Sequence, residues 1–260
     1  MLLGGDNVDK ILVYFALKYQ GDWDAIYSAI NKKEKVDSNE LEKLVSECDC
    51  EYITLLDSRY PLRLKSIYKP PFVLFYKGDA NLLSSDHKTI GVVGSRNYSS
   101  YGKKATEELV KGLVKEDFII VSGLAKGIDT IAHKSCLVNG GKTIAVLGNG
   151  VNVYYPKENE LLQQTIAKDG LLVSEYPLWL QSSKEHFPKR NRIIAGLSDA
   201  ILVTDAKRKS GSMITVSRAL EMGKDIFSIP HQIGFDSGCN LLIKEGAKLV
   251  ESVEDILSDI

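Results

Sequence analysis

The chain has 260 residues, 44% hydrophobic and 26% charged, which is enough apolar material for a packed core and excludes a disordered tail or a small disulfide-stapled scaffold. A net charge of -1 excludes a uniformly basic surface, so any site for a polyanion must come from local clusters of Lys and Arg.

In the first fifty residues, Val8, Ile11, Leu12, Phe15 and Ala16 fall at helical spacing. Trp23, Ile26, Tyr27 and Ile30 repeat the pattern, with Trp23 and Tyr27 read as core, and Leu41, Leu44 and Val45 predict a third helix with a polar start at Ser38. Residues 1–50 are thus expected to form a small helical domain, and 51–260 a second one. Strands are predicted over 52–56 and 73–76. From Lys88 onward predicted strands (89–94, 118–122, 143–148, 171–175, 200–205, 225–229, 248–250) alternate with predicted helices (101–115, 128–139, 158–168, 213–222, 241–245, 253–260). Runs such as Ile144-Ala145-Val146-Leu147 and Ile201-Leu202-Val203 are apolar on both faces. That predicts an α/β fold with a mostly parallel sheet flanked by helices.

Four scattered cysteines suit a reducing compartment, Cys48-Asp49-Cys50 is too tight for zinc, and the four histidines form no ligand pattern, so no metal or cofactor is expected. Asp6, Asp9 and Lys10 interrupt the N-terminal apolar stretch, and no run approaches a membrane span. The expectation is a cytoplasmic protein.

Ligands of an open α/β sheet sit beyond the carboxyl ends of its strands. Gly94-Ser95-Arg96 offers close backbone approach and a guanidinium suited to phosphate, or equally a tight turn with an exposed arginine. Within the loop Gly123–Gly127 and the helix after it, Asp129 and His133 stand four apart. That spacing suits acid–base work, but a pair fixing the helix start is the preferred reading. In the third loop Lys157 opposes the helix dipole that follows, while Tyr154 and Tyr155 could stack on bases but read better as packing. Lys189, Arg190, Asn191 and Arg192 cluster just before an apolar stretch and read as phosphate ligands. Lys209 beside Ser210-Gly211-Ser212 at a predicted helix start is the most specific anion cradle of the five. A row of such loops on one edge suits a polyanion better than a single phosphate.

The segments GSRNYSSYG, SGLAKGIDTIAH, GKTIAVLGNGVNVYYPKEN, FPKRNRIIAGLS and KSGSMITVSRALEMGKDIFSIP, in that order, with GCNLLIKEGAKLV downstream, closely resemble the DNA-processing protein A (DprA/Smf) family over roughly residues 50 to 253. The resemblance implies an extended Rossmann-like domain after a small helical domain of the sterile-alpha-motif type. It implies a non-enzymatic protein that binds single-stranded DNA and loads a RecA-type recombinase during natural transformation. It assigns DNA contacts to Arg96, Lys157, Arg190, Arg192 and Lys209, with Gly94, Ser95, Gly123, Gly127, Ser210, Gly211 and Ser212 as backbone cradle, and a homodimer around Leu242, Ile243 and Leu249. The chain departs from the family at Pro230-His231, where Pro-Gly is frequent, and it ends at Ile260, where many members continue into a winged-helix domain. The alternative is a nucleotide-binding hydrolase of a related fold. That reading would make Ser210–Glu221 the catalytic stretch, with Glu221 its acid and no second acidic partner evident.

Overall fold

Aspartates just outside two of the N-terminal helices set where those helices begin. In the computed structural model, which describes residues 5–233 and 236–260, α1 spans Gly5–Lys18, α2 Trp23–Asn31 and α3 Ser38–Ser46. Asp22 accepts from the Ala25 N–H, and Asp37 from those of Asn39 and Glu40, each at 2.9 Å, which satisfies donors the first helical turn leaves free. The polar start of α3 is therefore Asp37, one residue before the expected Ser38. The apolar faces meet around Val13, Phe15, Ile26 and Leu41, and the same cluster takes in Val73, Phe75 and Leu178. The helices thus share their core with the sheet. Trp23 and Tyr27 are a correction: they stack at 5.0 Å on the outer side of this layer, with Tyr27 exposed and the Trp23 indole N–H donating to Pro70 O.

The remaining elements are β1 (Glu51–Thr54), α4 (Leu62–Lys65), β2 (Val73–Gly78), β3 (Thr89–Gly94), α5 (Ser100–Lys115), β4 (Ile119–Ser122), α6 (Ile128–Val138), β5 (Thr143–Val146), α7 (Glu160–Asp169), β6 (Leu171–Ser174), α8 (His186–Leu197), β7 (Ala200–Asp205), α9 (Gly211–Glu221), β8 (Asp225–Ser228), α10 (Gly238–Lys244), β9 (Lys248–Leu249) and α11 (Glu254–Leu257). They build one nine-stranded sheet in the order β1-β2-β6-β5-β4-β3-β7-β8-β9. The strands from β6 to β9 are mutually parallel, while β1 and β2 pair antiparallel at the edge. Both faces are covered. Ala200 and Leu202 of β7 join the layer under α5 and α6, and Ile201 and Val203 join the layer under α8 and α9. This is the α/β sheet the doubly apolar strands predicted.

The chain builds outward from β3 through β4, β5 and β6, then crosses back to add β7, β8 and β9 on the other side. The order therefore reverses between β3 and β7, where such sheets open a crevice at the carboxyl ends of the strands. Helix α8 begins at His186, earlier than the apolar run alone suggests. Pro188 sits in its first turn, where no N–H partner is needed.

Candidate functional site

The β3/β7 crevice is closed by the chain's own carboxylate. Asp205 O accepts from Ser95 N at 2.6 Å, and Asp205 Oδ2 accepts from Ser99 N and Ser99 Oγ at 2.8 Å each. A Cβ on Gly94 would lie 2.6 Å from Asp205 O, so this glycine lets loop meet loop. The next loop is similarly engaged. Gly123 N donates to Asp129 Oδ2 at 3.1 Å, and Ile128 N donates to Ser95 O at 3.1 Å. Gly127 adopts φ +87°, and a Cβ there would lie 2.2 Å from Ser95 O. The expected cradle of Gly94, Ser95, Gly123 and Gly127 is therefore a frame of mutually satisfied loops, as buried backbone groups require.

Asp129 and His133 do not pair. Asp129 holds the loop by accepting from Gly123 and Ala125, and burial raises its pKa, against the opposing pull of Arg190. His133 is fully buried with Nδ1 2.7 Å from Thr143 Oγ1, and burial lowers its pKa to about 3. Asp129 is only 7% exposed and His133 not at all, so the geometry offers them no acid–base role.

The basic cluster lies within α8, not before it, and at about 100° per residue its members point in different directions. Lys189 reaches Asp22 at 3.5 Å. Arg190 is buried, with Nη1 donating to Gly123 O at 2.6 Å and to Val146 O; burial lowers its pKa to about 10, opposed by Asp129. Asn191 Nδ2 donates to Gly211 O at 3.3 Å. Arg192 forms a bidentate pair with Glu175 at 2.7 and 2.6 Å and also donates to Lys69 O and Lys189 O. Burial works against that guanidinium, but Glu175 outweighs it and holds the pKa above its ordinary value. Arg190 and Arg192, expected as phosphate ligands, act instead as internal braces, because both are enclosed: Arg190 uses Nη1 for two carbonyls and leaves its buried Nε without a partner, and Arg192 is held by Glu175.

What faces outward is a pocket of about 50 Å³ lined by Arg96, the 123–126 loop, Leu147–Asn149, Tyr155-Pro156 and Phe187. Arg96 is exposed, and its guanidinium carbon stands 5.7 Å from the Phe187 ring centre. Tyr155, 42% exposed, lies 5.5 Å from the same ring. The reading of Tyr154 and Tyr155 as packing is thus corrected in part, since each keeps 42% of its surface open. Phe187 was missed as a site residue, although writing 186–197 as a helix puts it four residues before Asn191, on one face. A guanidinium and two aromatic rings meet here, groups whose chemistry suits an anion and a planar ring.

Lys157 and Lys209 are exposed, as is Gly211, while Ser212 is buried with its Oγ 2.7 Å from Ser210 Oγ. Asn191 ties α8 to the start of α9, so the Ser210–Ser212 loop adjoins the Phe187 face. Leu242 is a correction: it belongs to the core under α9 and offers no dimer surface, whereas Ile243 is partly and Leu249 largely open. Glu221 lies at the far end of α9, paired with Arg218 at 2.8 Å, about 15 Å along the helix from Gly211. Among the described residues no cluster of metal-ligating side chains occurs, and no helix is long and apolar enough to cross a membrane.

A mostly parallel sheet flanked by helices, with an arginine–aromatic pocket at its strand-end loops, defines a Rossmann-like fold. The profile of the family "DNA recombination-mediator protein A" matches residues 51–260. DNA processing protein DprA of Streptococcus pneumoniae is 52% identical over 79% of this chain and 73% of its own length, and that of Bacillus subtilis 45% over 80% and 70%. The crystal structure of DNA processing protein A from Streptococcus pneumoniae matches with TM-score 0.83 and 40% identity, over 100% of this chain and 99% of that one. DNA processing protein A from Helicobacter pylori, whose structure addresses its single-stranded DNA binding mode, matches with TM-score 0.72 and 31% identity, over 81% and 96%. The chain belongs to the DNA recombination-mediator protein A family.

Proposed function

We propose that this chain binds single-stranded DNA along the carboxyl edge of its sheet and acts as a mediator that hands the strand to a RecA-type recombinase during DNA uptake. The observation that carries the reading is the Arg96–Phe187–Tyr155 pocket, an arginine without an acidic partner among the described residues beside two accessible rings. Arg96 takes a phosphate, the rings take bases without regard to sequence, and Lys157 and Lys209 take neighbouring phosphates. Asn191 and the Ser210–Ser212 loop extend the same edge. The chain works as a binding protein, without a catalytic step. A homodimer through Ile243 and Leu249 fits the reading and leaves the DNA edge free.

The test is fluorescence anisotropy of labelled oligo-dT in a salt series. Arg96→Ala is expected to bind about tenfold or more weakly, with the log–log salt slope reduced by about 0.7. Wild-type affinity and slope in the variant would refute the reading. Handing-over is read as recombinase filament formation on DNA covered by single-strand-binding protein, where Ile243→Arg is expected to reduce loading.

A further inference from the structure

The Arg96 pocket is small, and the surface does not end there. Between α5 and α6 runs an open groove of about 660 Å³. Gly127 lines this groove, and a Cβ on Gly127 would lie 2.6 Å from Arg96 Cα, so groove and pocket share a wall. Tyr98, two residues beyond Arg96, opens its ring into the mouth with 43% of its surface exposed. Farther along lie Lys103, Lys104 and Lys111 of α5 and Lys134 of α6, all exposed. Lys103 is 3.8 Å from Glu107. Lys104, Lys111 and Lys134 have no carboxylate within ion-pair distance among the described residues. The lining carries four lysines against Glu107 and Glu108, so it is net positive in a chain whose total charge is -1. Val138, 85% exposed, puts an apolar side chain at the rim of the far end.

We propose that this groove carries the bound single strand onward from the Arg96 pocket, so that the binding track leaves the sheet edge and descends between α5 and α6. The inference rests on the reading of the Arg96 pocket as a single-stranded DNA site. From Ser100 to Lys111 the helix covers about 16 Å, room for about five nucleotides at about 3.4 Å per phosphate. The three lysines without carboxylate partners supply phosphate contacts, and Tyr98 supplies a stacking face where the strand turns from pocket to groove. Continuity with the pocket, excess positive charge and one aromatic at the junction favour a flexible single strand as the occupant.

The experiment compares dT6 with dT20 on wild type, on Lys104→Glu/Lys111→Glu/Lys134→Glu, and on a control with the same charge change elsewhere, Lys33→Glu/Lys43→Glu/Lys65→Glu. Circular dichroism checks folding. The groove variant is expected to bind dT6 like the control but dT20 about tenfold more weakly, with a salt slope lower by about 2, from three contacts at about 0.7 each. Equal binding of dT20 by the groove variant and the control overturns the inference and leaves the Arg96 pocket standing. Equal losses on dT6 and dT20 overturn it as well. If wild type binds neither oligonucleotide, the proposed function falls and this inference falls with it.

Discussion

Replacing Arg192 by alanine separates a brace from a contact. The Arg192 and Glu175 side chains are 8% and 6% exposed, and their bidentate bonds are 2.7 and 2.6 Å long. Removing the guanidinium leaves the Glu175 charge enclosed without its partner and also strips donors from Lys69 O and Lys189 O. Breaking a buried pair in this way costs about 3–5 kcal/mol. Arg192→Ala is therefore expected to lower the urea midpoint strongly. At denaturant-free, low-temperature conditions where the variant remains folded, its affinity for oligo-dT should stay within about threefold of wild type. Removing both charges in Arg192→Met/Glu175→Leu should recover much of the lost stability, since the unpaired charge is then gone. A stable Arg192→Ala protein that loses DNA binding would refute the reasoning and return Arg192 to the phosphate surface.

His133 makes stability depend on acidity. The unfolded chain protonates this residue below about pH 6.5, while burial delays protonation in the folded chain to about pH 3. Acidification below pH 6.5 thus favours unfolding by up to about 1.4 kcal/mol per pH unit from this residue, and His133→Gln should flatten the decline measured by urea titration between pH 6.5 and 4.5. An identical decline in the variant would argue against a buried neutral His133. Gly127→Ala places a methyl 2.2 Å from Ser95 O at φ +87°, so a loss of about 1–3 kcal/mol is expected in thermal or urea unfolding, with weaker DNA binding through the displaced Arg96 loop. Unchanged stability and binding would mean the loop yields freely.

The sheet could be read from the sequence because strands apolar on both faces have few other places to go. Ile201-Leu202-Val203 sends alternate side chains into separate layers under different helices. The site was harder. Lys189, Arg190, Asn191 and Arg192 are adjacent in sequence, but helical geometry turns them toward Asp22, Gly123, Gly211 and Glu175. Which of the four meets solvent depends on what lies beside α8, and that is not local information. The loop glycines are ambiguous for a related reason. A glycine that admits a ligand and a glycine that admits a neighbouring loop look alike in sequence, and Gly94 and Gly127 are of the second kind. Arg96 was found because it follows a buried strand and has no nearby acid. Phe187 went unassigned and Tyr155 was read as packing because an exposed aromatic and a buried one are spelled identically.

Helix α8 touches the chain at or after the ends of four strands in turn. Arg190 holds the ends of β4 and β5, Arg192 holds Glu175 just past β6, and Asn191 holds the start of α9. One rigid rod therefore sets the spacing of the stations a strand would visit, much as a ruler fixes its marks. Stations at fixed spacing accept only a strand that can adopt that spacing, so a sequence that must first unstack or unfold bears that cost on binding. A homopolymer of thymidine should accordingly be held more tightly than a stacked run of adenosine of the same length.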